Sequence, residues 1–429
     1  MVEVGPFRAL RPAPGLAERV MSPPYDVVDV EEARAYAGGD PDSFLRVSRP
    51  EIDLPESVEP HSAEVYARGR ANLEDFVARG VLVRDDEPTF SVYRQVMGDV
   101  VQTGVVAVVG VEDYDAGRVK IHERTRPDKE DDRVRHIEAL DAQDEPVFLL
   151  SHRSAEVDHV VVRVVTRDPA VDVVTRDGVG HTLWIVDHPS EVAALHRAFA
   201  AVGRLYVADG HHRSAAASRV HAARRAEAVA RGDRVDQLEG LTGSAYAPEE
   251  HAPERYFLAV VFPIDDVHVM AYNRVVADLG GLSVEELLVA LDEMGFDLSP
   301  ASGAVTPKVT HEFGVHLDGD WFRARARDVD DSDPLGRLDV SILQERVLAP
   351  LLGIGDPRTD SRIAFVGGIR GTKEIERLVA DGRAAVGFTL CPTPLADLVA
   401  VADAGEVMPP KSTWFEPKLA SGLFLHPLS

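Results

Sequence analysis

The sequence predicts a mixed α/β (α+β) chain of more than one domain. Apolar runs of period two, such as "TFSVYRQV" and "RYFLAVVFP", alternate with helical-period segments such as "HPSEVAALHRAFAAV". Gly, Pro and Asp punctuate the junctions between them. The 429 residues are too many for one small core, and 45% hydrophobic with 28% charged residues is ordinary for a soluble globular protein.

The elements read in order as follows. Residues 1–50 are turn-rich, and Pro23–Pro24 favour extended backbone just before Tyr25 and Asp26. Residues 58–80 read as a helix stopped by Gly80, and 89–112 as a hairpin turning at "MGD". A helix follows from about 128 to 143, with Asp128 as its cap. "PVFLLSH", "VDHVVVRVVT" and "HTLWIVDH" are strand candidates. Pro189 opens a helix, "RLYVAD" is a strand, and "SAAASRVHAARRAEAVARG" is a long helix. The stretch 233–254 is polar and reads as an excursion from the fold. Beyond it come further strands, the capped helix "SVEELLVALDEMG", and a hairpin with Asp-Gly at its turn in "EFGVHLDGDWFRARA". The expected organisation is an N-terminal region over 1–88, a core over 89–232, and a C-terminal α/β region over 255–429.

Composition excludes several classes. A formal net charge of −26 argues against nucleic-acid or anionic-membrane partners, which need positive surface. No apolar run reaches the ~18 residues of a membrane span, and the N-terminus lacks a secretory pattern. A cytoplasmic protein is the expectation. The single cysteine, Cys391, excludes a disulfide framework and a Cys-based zinc site. Only six of the 46 basic residues are lysines, and four of these fall in "KIHERTRPDKEDDR" and "MPPKSTWFEPK". Where arginine is the usual cation, a lysine marks a place suited to a compact ammonium group.

The segment "YVADGHHRSAAA" (206–217) puts Asp209, Gly210, His211, His212 and Arg213 at one strand-to-helix corner. Adjacent helical histidines point about 100° apart, so His211 and His212 do not chelate one ion by themselves. A helix N-terminus with a preceding glycine is suited to a phosphate, and His212 and Arg213 add donors. Asp209 then needs a bridging Mg²⁺ or a substrate hydroxyl beside the phosphate; equally, it is placed to cap the helix.

The G-x-x-R-x-x-A pattern of "GHHRSAA" resembles the signature box of the ParB/sulfiredoxin superfamily. The fuller D-G-H-H-R form looks like that of its free-serine kinases. Sulfiredoxin chemistry needs a cysteine in the box, where this chain has His211 and His212. No basic helix-turn-helix of the DNA-segregation type is evident. Taken in order, "SPPYDVV", "HERTRPDKEDDR", "ADGHHRSAAA", "YNRVVADL" and "MPPKSTWFEPKLASGL" resemble a widespread bacterial and archaeal family of unknown function over nearly the full length. These resemblances imply a ParB/sulfiredoxin-like core at roughly 90–225 with additional α/β regions.

They also imply nucleotide-dependent phosphoryl transfer to a small hydroxylated metabolite, with free serine leading, ATP or ADP as donor, and Mg²⁺. In that scheme Glu123 is the base, as the superfamily's serine kinases use a glutamate N-terminal to the box; Asp209 holds Mg²⁺ or the hydroxyl, and His212 joins the catalytic set. Gly210, His211 and Arg213 hold phosphate, and Lys129 or Arg133 neutralises charge. His122 and Thr125 flank the base on the same loop as substrate contacts. The bland alternative for this loop is a solvated charged face. Lys411, Ser412 and Thr413 offer anion contacts without the glycines of a P-loop. Tyr25, Asp26 and Arg274 are candidate substrate contacts, Arg274 as a clamp for a carboxylate or phosphate. Two rivals remain: a phosphoserine phosphatase or nucleotide hydrolase, and a non-enzymatic nucleotide-binding regulator. Partners are small molecules, and the oligomeric state is open.

Overall fold

The computed structural model describes residues 1–231 and 252–429. Most of the polar stretch expected over 233–254 lies outside them. The described chain divides into two compact units, residues 1–267 with 417–429, and residues 268–416. It is mixed α/β throughout. Among the described residues no helix is long and apolar enough to cross a membrane.

Valine-rich alternation builds the sheet of the first unit. Its strands are β1 (Val4–Gly5), β2 (Phe90–Met97), β3 (Val100–Gly110), β4 (Val119–Lys120), β5 (Val147–Ser151), β6 (Val171–Val174), β7 (Gly180–Val186), β8 (Leu205–Asp209) and β9 (Tyr256–Pro263). They lie in the order β4-β8-β5-β9-β3-β2-β7-β6, with β1 paired to the end of β3. The hairpin expected at 89–112 is β2–β3, turning at Gly98 with φ 58°. Val105, Ala107 and Val109 of β3 share a buried face with Phe257, Ala259 and Val261 of β9, as a period of two requires. The longest helices of this unit among the described residues are α1 (Ala63–Ala78), α2 (Pro127–Leu140), α3 (Ala155–Val164), α4 (Pro189–Ala200) and α5 (His211–Arg231).

Two local expectations are corrected. "VDHVVVRVVT" is the helix α3, not a strand. Ser154 caps it by accepting from the Val157 N–H, and Val160 and Val164 bury one helical face, so packing overrides the β preference of valine. Asp128 is not the cap of α2. Arg126 takes that position and Pro127 is the first helical residue, where its missing N–H costs nothing.

The tail 417–429 completes the first unit. Leu425 bonds Leu10 in both directions, and Ser22 and Ser421 do the same. The fully buried amides of Gln95 and Gln102 donate to the carbonyls of Lys418 and Pro417 at 2.7 and 3.3 Å. Those bonds fix where the Lys418 side chain begins.

The second unit has an antiparallel sheet of β10 (Tyr272–Val276), β11 (Phe296–Ala301), β12 (Glu312–Leu317), β13 (Asp320–Ala326), β14 (Ile363–Gly367) and β15 (Val386–Leu390). The order is β11-β13-β12-β15-β10-β14. Its helices include α6 (Val284–Glu293), α7 (Gly371–Ala380) and α8 (Leu395–Asp403). α6 opens on a capping box of Ser283 and Glu286, and the β12–β13 turn has Asp318 and Gly319 both at positive φ, as a two-residue hairpin loop requires.

Candidate functional site

The corner after β8 is built by a bulge and a glycine. The register between β8 and β5 shifts between Val207 and Asp209, a bulge at Ala208 that sets Asp209 opposite Phe148 at the strand's end. Gly210 follows at φ 94°, and a Cβ there would lie 3.3 Å from the Val147 Cα. Helix α5 starts at His211, and the Gly210 carbonyl accepts from the Arg213 and Ser214 N–H groups. Asp209 therefore ends the strand with both carboxylate oxygens engaged. Oδ1 accepts from the Gly210 N–H at 2.8 Å, and Oδ2 receives the Lys418 ammonium at 3.0 Å. Burial opposes its ionisation, but Lys418 and Arg213 outweigh that and hold the carboxyl well below the usual carboxylate range.

Two histidines from different segments meet beside it. The His122 N–H donates to His211 Nε2 at 3.5 Å, and the rings are edge-to-face with centroids 4.6 Å apart. Burial pushes the His122 imidazole down to about 4 and drives His211 well below its ordinary value, His122 adding to the latter. Both rings are neutral at pH 7. Glu123 joins them, so that one ligand atom from each of His122, Glu123 and His211 lies within 4.8 Å of the others. Burial also lowers His212, whose Nε2 accepts from the Arg126 N–H at 3.1 Å. That bond leaves its proton on Nδ1.

The donor chemistry bears on a metal. A cation placed on Asp209 Oδ2 meets the Lys418 ammonium, so Asp209 as arranged is a poor direct ligand for Mg²⁺. The grouping of His122, Glu123 and His211 could hold a divalent ion, and two imidazoles in the set suit Zn²⁺ better than oxygen-seeking Mg²⁺.

Three stations far apart in sequence converge behind the corner. Arg213 is 8% exposed; it donates to the Pro146 carbonyl, lies 3.5 Å from Asp26 Oδ2, and lies 3.9 Å from Glu145 Oε2. Arg133 donates twice to Asp132 Oδ2, at 2.9 and 2.6 Å, and its guanidinium lies 3.8 Å from the centre of the Tyr25 ring. Tyr25 donates its N–H to Glu145 Oε1 at 2.9 Å, and the Ser421 hydroxyl donates to the same oxygen at 2.7 Å. Burial raises Glu145 to about 7 against the pull of Arg213. Burial also raises the Tyr25 hydroxyl. Arg213 thus donates to a carbonyl and faces two carboxylates, and Arg133 spends Nε and Nη2 on Asp132, while its buried Nη1 has no hydrogen-bond partner among the described residues.

The family of the chain follows from its sequence pattern. The profile described as "protein of unknown function (DUF1015)" matches residues 4–341. The chain belongs to the DUF1015 family. No curated protein matches it. Solved structures similar to this DUF1015 chain include a free serine kinase in complex with AMP, at 12% identity and TM-score 0.31, covering 74% of this chain and 92% of that one. A conserved hypothetical protein from Pyrococcus furiosus is similar at 13% identity and TM-score 0.33, covering 74% and 95%. SbnI from Staphylococcus aureus, truncated at its C-terminus, is similar at 13% identity and TM-score 0.34, covering 73% and 84%.

The remaining candidates of this DUF1015 chain divide between the units. In the first, Lys129 is exposed on α2, and the Thr125 hydroxyl donates to Glu130. In the second, Arg274 is 3% exposed and donates to the carbonyls of Tyr272 and Lys411, the latter at 2.9 Å. It braces the backbone at Pro410 and Lys411. Lys411 has φ 59° and holds its ammonium 5.6 Å from the Tyr272 ring centre. The Ser412 hydroxyl donates to the Pro409 carbonyl, and the Thr393 hydroxyl to that of Ser412, next to Thr413. Sequence reasoning missed Lys418, Glu145 and Ser421. The scarcity of lysine was a usable signal for Lys418; "DEPVF" carries none for Glu145.

Proposed function

We propose that this DUF1015 protein transfers phosphate from a nucleotide, ATP or ADP, to the hydroxyl of a small metabolite, with free serine the leading acceptor. One observation carries the reading: Glu123 lies with two neutral histidines at the corner where Asp209 is paired to Lys418. Phosphoryl transfer needs little covalent help from the protein; it needs a positioned hydroxyl and electrostatic stabilisation. Glu123 is placed to take the acceptor's proton, with His211 and His122 shaping its surroundings. The first N–H groups of α5, the Nδ1–H of His212 and the ammonium of Lys418 are the donors for the phosphate. Asp209 holds Lys418 in place. Arg213 and Arg133 act through the backbone and carboxylates they brace. Lys418 stands at Asp209 Oδ2, where a directly bound Mg²⁺ would otherwise sit.

The test is direct. Full-length protein is incubated with L-serine, MgCl₂ and ATP or ADP, and O-phosphoserine is followed by mass spectrometry. Phosphoserine formation that falls at least 100-fold in both Glu123→Gln and Asp209→Asn supports the reading. Full activity in both variants removes the site assignment. Phosphate release from phosphoserine without synthesis replaces it with a phosphatase, and nucleotide binding without either product replaces it with a regulator.

A further inference from the structure

The second unit carries a cavity of about 600 Å³, within the range that holds small organic ligands. It lies between the start of α7, the end of β15 and the segment 268–273, with Lys308 on its rim. Its wall is electrostatically unlike the rest of the chain. Asp and Glu make up 72 of the 429 residues, yet none of the described lining residues is acidic, and Lys308 and His268 are among them. The carboxylates that influence the Cys391 thiol, Asp339 and Glu312, are not on the wall.

The backbone adds to this asymmetry. Helix α7 has no side-chain cap, so its first N–H groups receive no internal oxygen from the capping position. Gly371 sits at the helix start with φ 63° and ψ −167°, a region open essentially to glycine alone. A Cβ there would meet nothing within 4 Å, and the Gly371 N–H donates to the Gly368 carbonyl, so a ligand would meet the N–H groups that follow it. Thr372 follows on the wall. Asn273 is 4% exposed; its Oδ1 accepts from the Leu390 N–H, and its NH₂ has no partner among the described residues and lines the cavity. The wall also carries apolar side chains: Val269, Met270, Leu390, Pro392 and Pro394.

We infer that this cavity binds a nucleoside phosphate, with its phosphate at the N-terminus of α7 beside Thr372 and Lys308 and its base on the apolar wall. An anionic head, a flat apolar body and a volume of about 600 Å³ satisfy every part of the lining together. The inference is independent of the phosphoryl-transfer reading, since every residue it uses lies in the second unit.

Cys391 lines this cavity and is the single cysteine of the chain, so its alkylation reports on the cavity alone. The full-length protein is labelled with N-ethylmaleimide at pH 8.5 with 1 mM AMP, 1 mM adenosine, or neither, and the rate is read by intact mass. AMP is expected to slow labelling at least 5-fold, and adenosine less than 2-fold. Thr372→Asp puts a charge where helices favour carboxylates, so α7 keeps its fold while the anion is repelled. That variant and Lys308→Glu are expected to lose the AMP protection. Asp209→Asn is expected to keep it, whatever becomes of serine phosphorylation. No protection by AMP, equal protection by adenosine, retained protection in Thr372→Asp, or its loss in Asp209→Asn each overturns the inference.

Discussion

Lys418 and Asp209 stand 209 positions apart in sequence, and the ammonium of one lies 3.0 Å from the carboxylate of the other. Gln95 and Gln102 hold the carbonyls of Lys418 and Pro417 and so fix where that side chain begins. Lys418→Met removes the cation from the corner and leaves the Asp209 Oδ2 without its ammonium. Phosphoserine formation is expected to fall about 100-fold, the scale of one lost electrostatic contact to a developing charge. A kinetic assay on the variant checks it, with Lys373→Met of α7 as the control that leaves the rate unchanged.

Gly210 carries the turn on which Asp209 and His211 depend. Alanine there has φ 94° to adopt, and its Cβ lies 3.3 Å from the Val147 Cα and 3.4 Å from the Arg213 guanidinium. Gly210→Ala is expected to cost about 1–3 kcal/mol and to displace the start of α5. Gly98→Ala, at φ 58° with nothing within 4 Å, separates strain from crowding. Urea denaturation of the two variants is expected to show the larger loss at Gly210.

Much of this corner was legible in the sequence, because its signals are local. A strand ending in Asp-Gly before a run of small helical residues specifies β8, the turn and α5 from neighbours alone. The hairpin β2–β3 and the capped helix α6 were legible for the same reason. What was not legible depends on long-range placement. Nothing around Arg133 or Arg213 says that their guanidinium groups turn inward to Tyr25, Asp26 and Glu145, since those partners come from distant segments. The histidine pairing was obscured likewise: the sequence drew attention to the adjacent His211 and His212, whereas His211 meets His122. In α3 the valines misled, because strand preference is weaker than burial of a helical face.

Arg133 combines a guanidinium's two roles. It donates twice to Asp132 and lies over the Tyr25 ring, 3.8 Å from its centre. Lysine keeps the charge and loses both the second N–H bond and the planar contact. Arg133→Lys is expected to destabilise the protein by about 1–3 kcal/mol. A double-mutant cycle with Tyr25→Leu, read by urea denaturation, is expected to return a coupling of about 1 kcal/mol; additive losses would show that the stacking contributes nothing.

Glu145 makes stability depend on pH with a definite sign. Burial raises its carboxyl from 4.5 to about 7 in the folded chain. Between those values the folded state holds a proton that the unfolded state has released. Its contribution to stability is therefore fully present below about 4.5 and is lost as the pH rises through about 7. Glu145→Gln keeps a carbonyl oxygen for the Tyr25 N–H and the Ser421 hydroxyl and has no proton to lose. The unfolding free energy of the wild-type protein minus that of the variant is expected to fall with pH over this interval, by at most about 1.4 kcal/mol per pH unit, and to level off above pH 8. Taking the difference cancels the carboxylates that Glu145 does not influence; Asp144, which His136 holds low against its burial, helps to raise Glu145 and so enters the difference with it. Urea denaturation of both proteins at pH 5, 6, 7 and 8 measures it, and a difference that stays flat or rises with pH removes Glu145 as the buried proton carrier.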